Sequence, residues 1–187
     1  SRNIVIQGEA DDAWRLNGFG AHVMVMGLNS VAQINGVEFR RVGQAGANGR
    51  YPFHWHVLSY EMPDGFSLPS NGTYIGQADS TNHFITNSSI HRSSQRAIVI
   101  HGTHGVLVDN NVCFDIIGHA LFVEDGAEKN NTISNNTVIR VRNPSAANML
   151  IDSDRGNEAT GGASGVWYTN PANTLTGNWL SDCEIGR

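Results

Sequence analysis

Residues 82–90 read NHFITNSSI, residues 104–112 read HGVLVDNNV and residues 130–138 read NNTISNNTV, so one pattern occurs three times. In each stretch an apolar segment is followed by a polar, Asn-containing step and a further apolar residue. The interval is 22 positions from Ile85 to Leu107 and 26 from Leu107 to Ile133. Ile90, Val112 and Val138 keep the same two intervals. Short β-prone runs that repeat at this length between Asn and Gly predict a solenoid, in which equivalent side chains of successive coils stack.

The rest of the chain extends this repeat to about six or seven coils. Irregular coils precede the repeat, long loops cover residues 43–50 and 58–79, and a polar loop at 152–162 precedes a last coil at 165–180. No apolar pattern of helical period persists long enough for a packed helix. The turns between strands are expected at Asn110, Asn111, Asn135 and Asn136, with bends at Gly105, Gly118 and Gly126.

Composition describes a folded, turn-rich β protein of 187 residues with 21 Gly and 16% charged residues. We expect a single domain over residues 1–187 that is a piece of a longer protein, because neither end carries an evident cap. The net charge of −5 argues against a nucleic-acid groove, which needs a basic face. No apolar run reaches the roughly 18 residues of a membrane span.

Two features of the sequence bear on extracellular chemistry. Cys113 and Cys183 form either one disulfide or two free thiols. Among four Asn-x-Ser/Thr sites, Asn71 is the best glycosylation acceptor, because it lies in a Pro/Gly/Ser-rich loop and not in the repeat.

A column of histidines is the strongest chemical candidate. Residues 97–101 (AIVIH) align with residues 120–124 (ALFVE), which places the Ile98, Ile100, Leu121 and Val123 side chains inward and those of His101 and Glu124 on the other face. In residues 53–57 (FHWHV), His54 and His56 share that outer face. Coils stack about 4.8 Å apart, so these side chains should form one outward column.

Imidazole with a carboxylate suits zinc or another divalent transition metal. We therefore predict a metal site at His54, His56, His101 and Glu124, with His119 as the additional ligand or as a donor to a ligand. The alternative is structural, because His side chains also pack and hydrogen-bond between coils of a solenoid.

Carboxylates allow a second interpretation, since glycoside hydrolysis needs two acids about 5–10 Å apart. Glu124 or Asp125 with Asp115, or Asp152 with Asp154, would supply such a pair. Strand alternation puts Glu124 and Asp125 on opposite faces, so they are not expected to be the pair themselves. The alternative role of the Asp residues is at turns, where they accept hydrogen bonds from backbone amides.

Several blocks of the sequence together resemble a family of extracellular proteins. Residues 50–56 (RYPFHWH) are similar to its Arg-Tyr-Pro-x-His-Phe-His motif, and further blocks follow in the family order at 89–91, 100–104, 118–126 and 166–173. The family comprises the cell-migration-inducing hyaluronidase, its transmembrane relative and the fibrocystin-like receptors. The resemblance covers roughly residues 30 to 180.

The resemblance implies a right-handed parallel β-helix that is secreted or at the cell surface. Two functions follow as expectations. The first is an extracellular domain that binds or cleaves a hyaluronan-like matrix polysaccharide as a glycosidase or lyase, with Glu124 and Asp125 as catalytic candidates and a metal ion assisting. The second is a noncatalytic adhesion or scaffold ectodomain, favoured by residues 148–154 (NMLIDSD), which are more similar to the fibrocystin branch.

Overall fold

The computed structural model describes residues 3–27, 30–61, 73–74, 82–150 and 162–185. The regular structure of these residues is mostly short strands: β1 Ile4–Gln7, β2 Met24–Met26, β3 Gln33–Asn35, β4 Val37–Val42, β5 Phe53–His56, β6 Tyr60–Glu61, β7 Thr73–Tyr74, β8 Phe84–Thr86 and β9 Ser89–Ser93. The remaining strands are β10 Ile98–His101, β11 Leu107–Asp109, β12 Val112–Ile117, β13 Leu121–Val123, β14 Thr132–Ser134, β15 Thr137–Arg142, β16 Val166–Trp167, β17 Thr174–Thr176 and β18 Trp179–Cys183.

Three parallel sheets run along the molecule, and each complete coil contributes one strand to each sheet. The first sheet has six strands in the order β1-β4-β9-β12-β15-β18. The second has the order β2-β5-β10-β13-β16 and the third the order β3-β8-β11-β14-β17. Only β6 and β7 pair in antiparallel fashion among the described strands. The predicted all-β parallel β-helix is confirmed, and six strands in the longest sheet agree with the predicted number of coils.

The core lies inside the helix, between the three sheets. Ile98, Ile100, Leu121 and Val123 point into it and are buried, as predicted, and Trp55 packs there as well. The strands of a parallel sheet that is covered on both faces have continuous apolar sequences, and residues 97–100 form such a run. Val99 and Phe122 are on the outer face, yet both are buried against Tyr51 in a second apolar cluster.

The predicted register of two stacked columns is wrong by one residue. Val108, not Leu107, pairs with Ile85 and Ile133. Likewise Cys113, not Val112, pairs with Ile90 and Val138, and Val112 is 36% exposed. Residues 106–108 are three consecutive apolar residues, so the repeat aligns in either register. A shift of one residue turns each side chain to the opposite face of its strand.

The predicted turns are confirmed. Asn110 and Asn135 adopt left-handed backbone, with φ of 52° and 54°. Gly105, Gly118 and Gly126 also have positive φ, at 74°, 86° and 82°. The neighbouring asparagines form a buried ladder, in which Asn111 Nδ2 donates to Asn136 Oδ1 at 3.0 Å and Asn136 Nδ2 donates to Asn178 Oδ1 at 2.9 Å. Such amide ladders satisfy polar groups that the stacked turns enclose.

The described residues include two short helical segments outside the sheets: α1, Asp12–Asn17, and a 3₁₀ turn, Ala146–Asn148. The side chain of Asp11 caps α1 by accepting a hydrogen bond from the Trp14 amide at 3.0 Å, and Gly18 ends α1 with φ of 63°. No residue of α1 is buried, so it has no apolar stripe that would have revealed it. Both cysteines are free, and no helix in the described ranges is long and apolar enough to cross a membrane.

Candidate functional site

Three histidines converge on the outer face of the second sheet. Strand β5 carries His54 and His56, which project to the same side because they are two residues apart. Strand β10 lies beside β5 in parallel register, with His101 opposite His56. One ring nitrogen from each of the three side chains lies within 4.8 Å of the other two. His56 Nδ1 and His101 Nδ1 lie 3.1 Å apart.

Asp125 determines which nitrogen of His101 faces the other histidines. Its Oδ2 lies 2.9 Å from His101 Nε2, which therefore carries the proton of the neutral ring. The lone pair of His101 is then on Nδ1, toward His56. Burial lowers the pKa of His101, but the hydrogen bond to Asp125 and the charges of Glu124, Asp125 and Glu128 outweigh burial, and the net shift of the pKa is upward.

Glu124 and Asp125 approach the same histidine, which corrects the prediction that they lie on opposite faces. Glu124 Oε2 is 3.9 Å from His101 Nδ1, while Asp125 contacts the other ring nitrogen. Strand alternation does not apply here because β13 ends at Val123 and the chain turns before Gly126, whose φ is 82°. Two carboxylates therefore flank one imidazole.

The turn that presents these carboxylates is held by a buried acid, Glu128. Its carboxylate accepts hydrogen bonds from the backbone amides of Gly102 and Gly126 at 2.8 Å and from that of Asp125 at 3.2 Å. One side chain thus connects the residue after His101 to the residue that orients His101. No motif in the sequence indicates this role, because it depends on the coil-to-coil register.

His54 lies beneath the loop that precedes β5 and is 2% exposed. Its Nδ1 is 3.2 Å from the Gly49 carbonyl oxygen. Because a carbonyl oxygen can only accept a hydrogen bond, Nδ1 carries the proton. The other nitrogen, Nε2, is buried without a hydrogen-bond partner among the described residues. Burial, followed by the charges of His56 and His101, lowers the pKa of His54 to about 3. His54 is therefore neutral at physiological pH, with its lone pair on the unpartnered nitrogen.

The histidines open onto a cavity of about 430 Å³. Its lining combines the three imidazoles with apolar, amide and charged groups: Met24, Met26, Asn48, Gly49, Arg50 and Glu124. Glu124 Oε2 is also buried and without a hydrogen-bond partner in the described part of the chain. Burial raises the pKa of Glu124, although the charges of His101 and Arg96 act against it. The donor set of a transition-metal ion is matched by the bare nitrogens of His54 and His101, the His56 ring and the unsatisfied Glu124 oxygen.

A layer of aromatic side chains and one guanidinium supports this cavity from below. Arg96 is fully buried, lies 4.3 Å from the Phe122 ring centre and donates from a terminal guanidinium nitrogen to Tyr51 Oη at 3.0 Å. Tyr51 in turn donates to Asn48 Oδ1 at 2.9 Å. These contacts secure the loop that covers His54. Sequence reasoning missed Arg96, because a buried arginine gives no periodic signal.

The other predicted candidates lie elsewhere. His119 is apart from the three-histidine group, since its Nδ1 accepts the Ser164 amide at 3.0 Å and its ring packs 4.9 Å from that of Phe122. Asp115 is on the first sheet, where it accepts a 2.6 Å hydrogen bond from Arg142. Three further candidates lie outside the described residues: Asn71, Asp152 and Asp154.

Comparison with known proteins assigns the fold to a family. Residues 18–186 match the CEMIP beta-helix family, and this range includes all three histidines. The chain belongs to that family. It is 32% identical over 166 residues to the human cell surface hyaluronidase CEMIP2, a match that covers 84% of this chain and 11% of the relative. A G8 domain-containing protein of Dictyostelium discoideum is 33% identical over 190 residues, covering 97% and 11%.

A cell surface hyaluronidase of Danio rerio is also similar, with 28% identity over 152 residues that cover 76% of this chain and 10% of the relative. The chain thus spans about a tenth of the length of the relatives it matches. These matches confirm the resemblance to the hyaluronidase family that the sequence predicted. They also support a functional role of the kind shared by that family.

Proposed function

We propose that this chain is a β-helix domain of a cell-surface or extracellular protein that binds a divalent transition metal, zinc or another, beside a polysaccharide-binding cleft. The observation that carries the proposal is the convergence of His54, His56 and His101 within 4.8 Å. For two of them, a hydrogen-bond acceptor on the far ring nitrogen leaves the near nitrogen bare. Acceptors of this kind orient metal-binding histidines in known sites.

The distances suit an ion after the side chains close around it. Zinc–nitrogen bonds of about 2.0–2.1 Å at tetrahedral angles place two ligand nitrogens about 3.4 Å apart. The 3.1 Å separation of His56 and His101 is close to this value. The other pairs, at no more than 4.8 Å, need to approach by up to about 1.4 Å through side-chain movement. Three protein ligands leave a fourth position for Glu124, for water or for a ligand.

A polysaccharide ligand is supported by the relatives named cell surface hyaluronidase. In a glycosidase or lyase the ion would act as a Lewis acid at the cleft. The chain's own contribution is to hold the His54 and His56 imidazoles neutral and to place the Glu124 and Asp125 carboxylates on either side of His101. Those carboxylates are the candidates for proton transfer to or from the sugar.

A noncatalytic adhesion or scaffold domain is the second candidate. It is favoured by Glu124, whose oxygen lies close enough to His101 to complete a closed, four-ligand structural site. Such a site would bind metal without turnover.

The test combines metal content with activity on hyaluronan. The purified chain should contain about one metal ion per molecule, and His56→Ala should lose it. His91→Ala is the matched control, because His91 pairs with Glu38 on the first sheet and should leave metal content unchanged. Chelator-sensitive shortening of hyaluronan supports the enzyme, whereas metal binding without shortening favours the scaffold. A metal-free wild-type chain after zinc addition overturns the proposal.

A further inference from the structure

An exposed guanidinium stands at the wall of the three-histidine cavity. Arg50 lines that cavity together with His54, His56 and His101. One of its terminal nitrogens lies 2.8 Å from His22 Nε2. None of the ion pairs within the described part of the chain includes Arg50. Among the described residues, the positive charge of Arg50 therefore faces the cavity without being paired to a carboxylate.

His22 holds this guanidinium without cancelling its charge. Burial, and then the charge of Arg50, lower the pKa of His22, so the ring is neutral and accepts the hydrogen bond. The two residues come from neighbouring coils that are joined nearby, where the Val23 amide donates to the Tyr51 and Pro52 carbonyl oxygens at 3.3 and 3.2 Å. The Arg50 side chain is thus oriented before a ligand binds, which lowers the entropy cost of binding.

The charges and side chains around Arg50 indicate which ligands it would bind. The molecule carries a net charge of −5, and Glu124 and Asp125 lie at the same site, so a negatively charged ligand is generally repelled. The guanidinium of Arg50 offers the paired, planar hydrogen bonds that a carboxylate accepts. Met24 and Met26 line the same cavity and offer apolar contact to a sugar ring.

We infer that Arg50, oriented by His22, is the residue that selects ligands bearing a carboxylate and seats that carboxylate at the edge of the histidine cavity. The inference rests on the proposed function in that it takes the cavity to be a polysaccharide cleft. It does not require the metal, because the Arg50–His22 pair is complete in the protein chain alone.

The probes are a hyaluronan hexasaccharide and the same oligosaccharide with its carboxylates reduced to alcohols. Binding of both is measured by calorimetry on chelator-treated wild-type protein. Two charge-assisted hydrogen bonds to one carboxylate strengthen binding, and desolvation of the charges offsets part of this gain. The native sugar should therefore bind about 10- to 100-fold more tightly than the reduced sugar.

Arg50→Gln should abolish this preference, so that both sugars bind alike, and Arg50→Lys should restore only part of it. Arg140→Gln is the matched control, because it removes the same charge from the first sheet, where Arg140 lies 3.6 Å from Asp115. The ratio of the two affinities reports on selection and not on folding. A preference that survives in Arg50→Gln, or no preference in the wild type, overturns the inference.

The same design separates this inference from the proposed function. Loss of the preference in Arg50→Gln with full metal content supports Arg50 and leaves the metal site intact. A wild type that binds no metal but keeps an Arg50-dependent preference supports the inference while contradicting the metal proposal. Metal binding with equal affinity for the two sugars contradicts the inference alone.

Discussion

At the scale of single residues, the candidate site depends on the atoms behind the three histidines. Alternation along residues 53–57 and the alignment with residues 97–101 were enough to predict that His54, His56 and His101 share a face. The positions of Asp125 and the Gly49 carbonyl were not predictable, because both follow from turns whose backbone angles the repeat does not determine. These two acceptors decide which nitrogens are available to an ion.

Removing the acceptor on His101 should therefore weaken metal binding. Asp125→Ala leaves the imidazole free to rotate and to exchange its tautomer, and outer partners of this kind are worth about 10- to 100-fold in metal affinity. A competition titration with a zinc-binding dye measures the effect. Asp12→Ala, at an exposed position on α1, is the control. Equal affinity for Asp125→Ala and the wild type would show that Asp125 does not orient His101.

His104 makes folding stability depend on pH. It is buried, its Nδ1 accepts the Lys129 amide at 3.1 Å, and burial followed by the charge of Lys129 lowers its pKa to about 4. The unfolded chain takes up this proton below about pH 6.5 and the folded chain does not. The stability that the neutral His104 contributes to the folded chain is thus fully present above pH 6.5 and is lost as the pH falls toward 4.

The expected loss from His104 is about 2–3 kcal/mol of unfolding free energy between these pH values. Urea unfolding of metal-free protein at a series of pH values measures it. His104→Gln removes the titration while keeping an acceptor for the Lys129 amide, so its unfolding free energy should fall less steeply with decreasing pH. Parallel curves for the two proteins would contradict the assignment.

At the scale of the strand, the repeat predicted which segments pair but not their exact register. Residues 106–108 are all apolar, so the pattern of apolar and polar residues does not determine which of them points into the core. The structure shows that Val108 is buried between Ile85 and Ile133, whereas Leu107 is partly exposed. The second sheet was predicted correctly because its alignment used two full strands of alternating residues.

This register predicts opposite outcomes for neighbouring substitutions. Val108→Asp puts a carboxylate into the core and should cost about 3 kcal/mol or more of unfolding free energy, or abolish soluble expression. Leu107→Asp places the same charge at a partly exposed position and should cost about 1 kcal/mol or less. Denaturant unfolding of the two variants decides between the registers, and a larger loss for Leu107→Asp would restore the one predicted from sequence.

At the scale of the whole molecule, stacking of coils brings together residues that are distant in sequence. His56 and His101 are 45 positions apart, yet the register of β5 and β10 makes them neighbours. The solenoid, its turns and this column could be predicted from sequence, since all three follow from the repeat. The loop over His54 and the buried Arg96 could not be predicted, because each occurs in a single coil and is not repeated in the others.

Anomalous diffraction from crystals grown with zinc, recorded on both sides of the zinc absorption edge, tests the central claim most directly. The account predicts one strong peak on the outer face of the second sheet. It should lie about 2.0–2.1 Å from His54 Nε2, His56 Nδ1 and His101 Nδ1. A difference map without a peak among these three nitrogens, or with the zinc bound only elsewhere, would contradict the account.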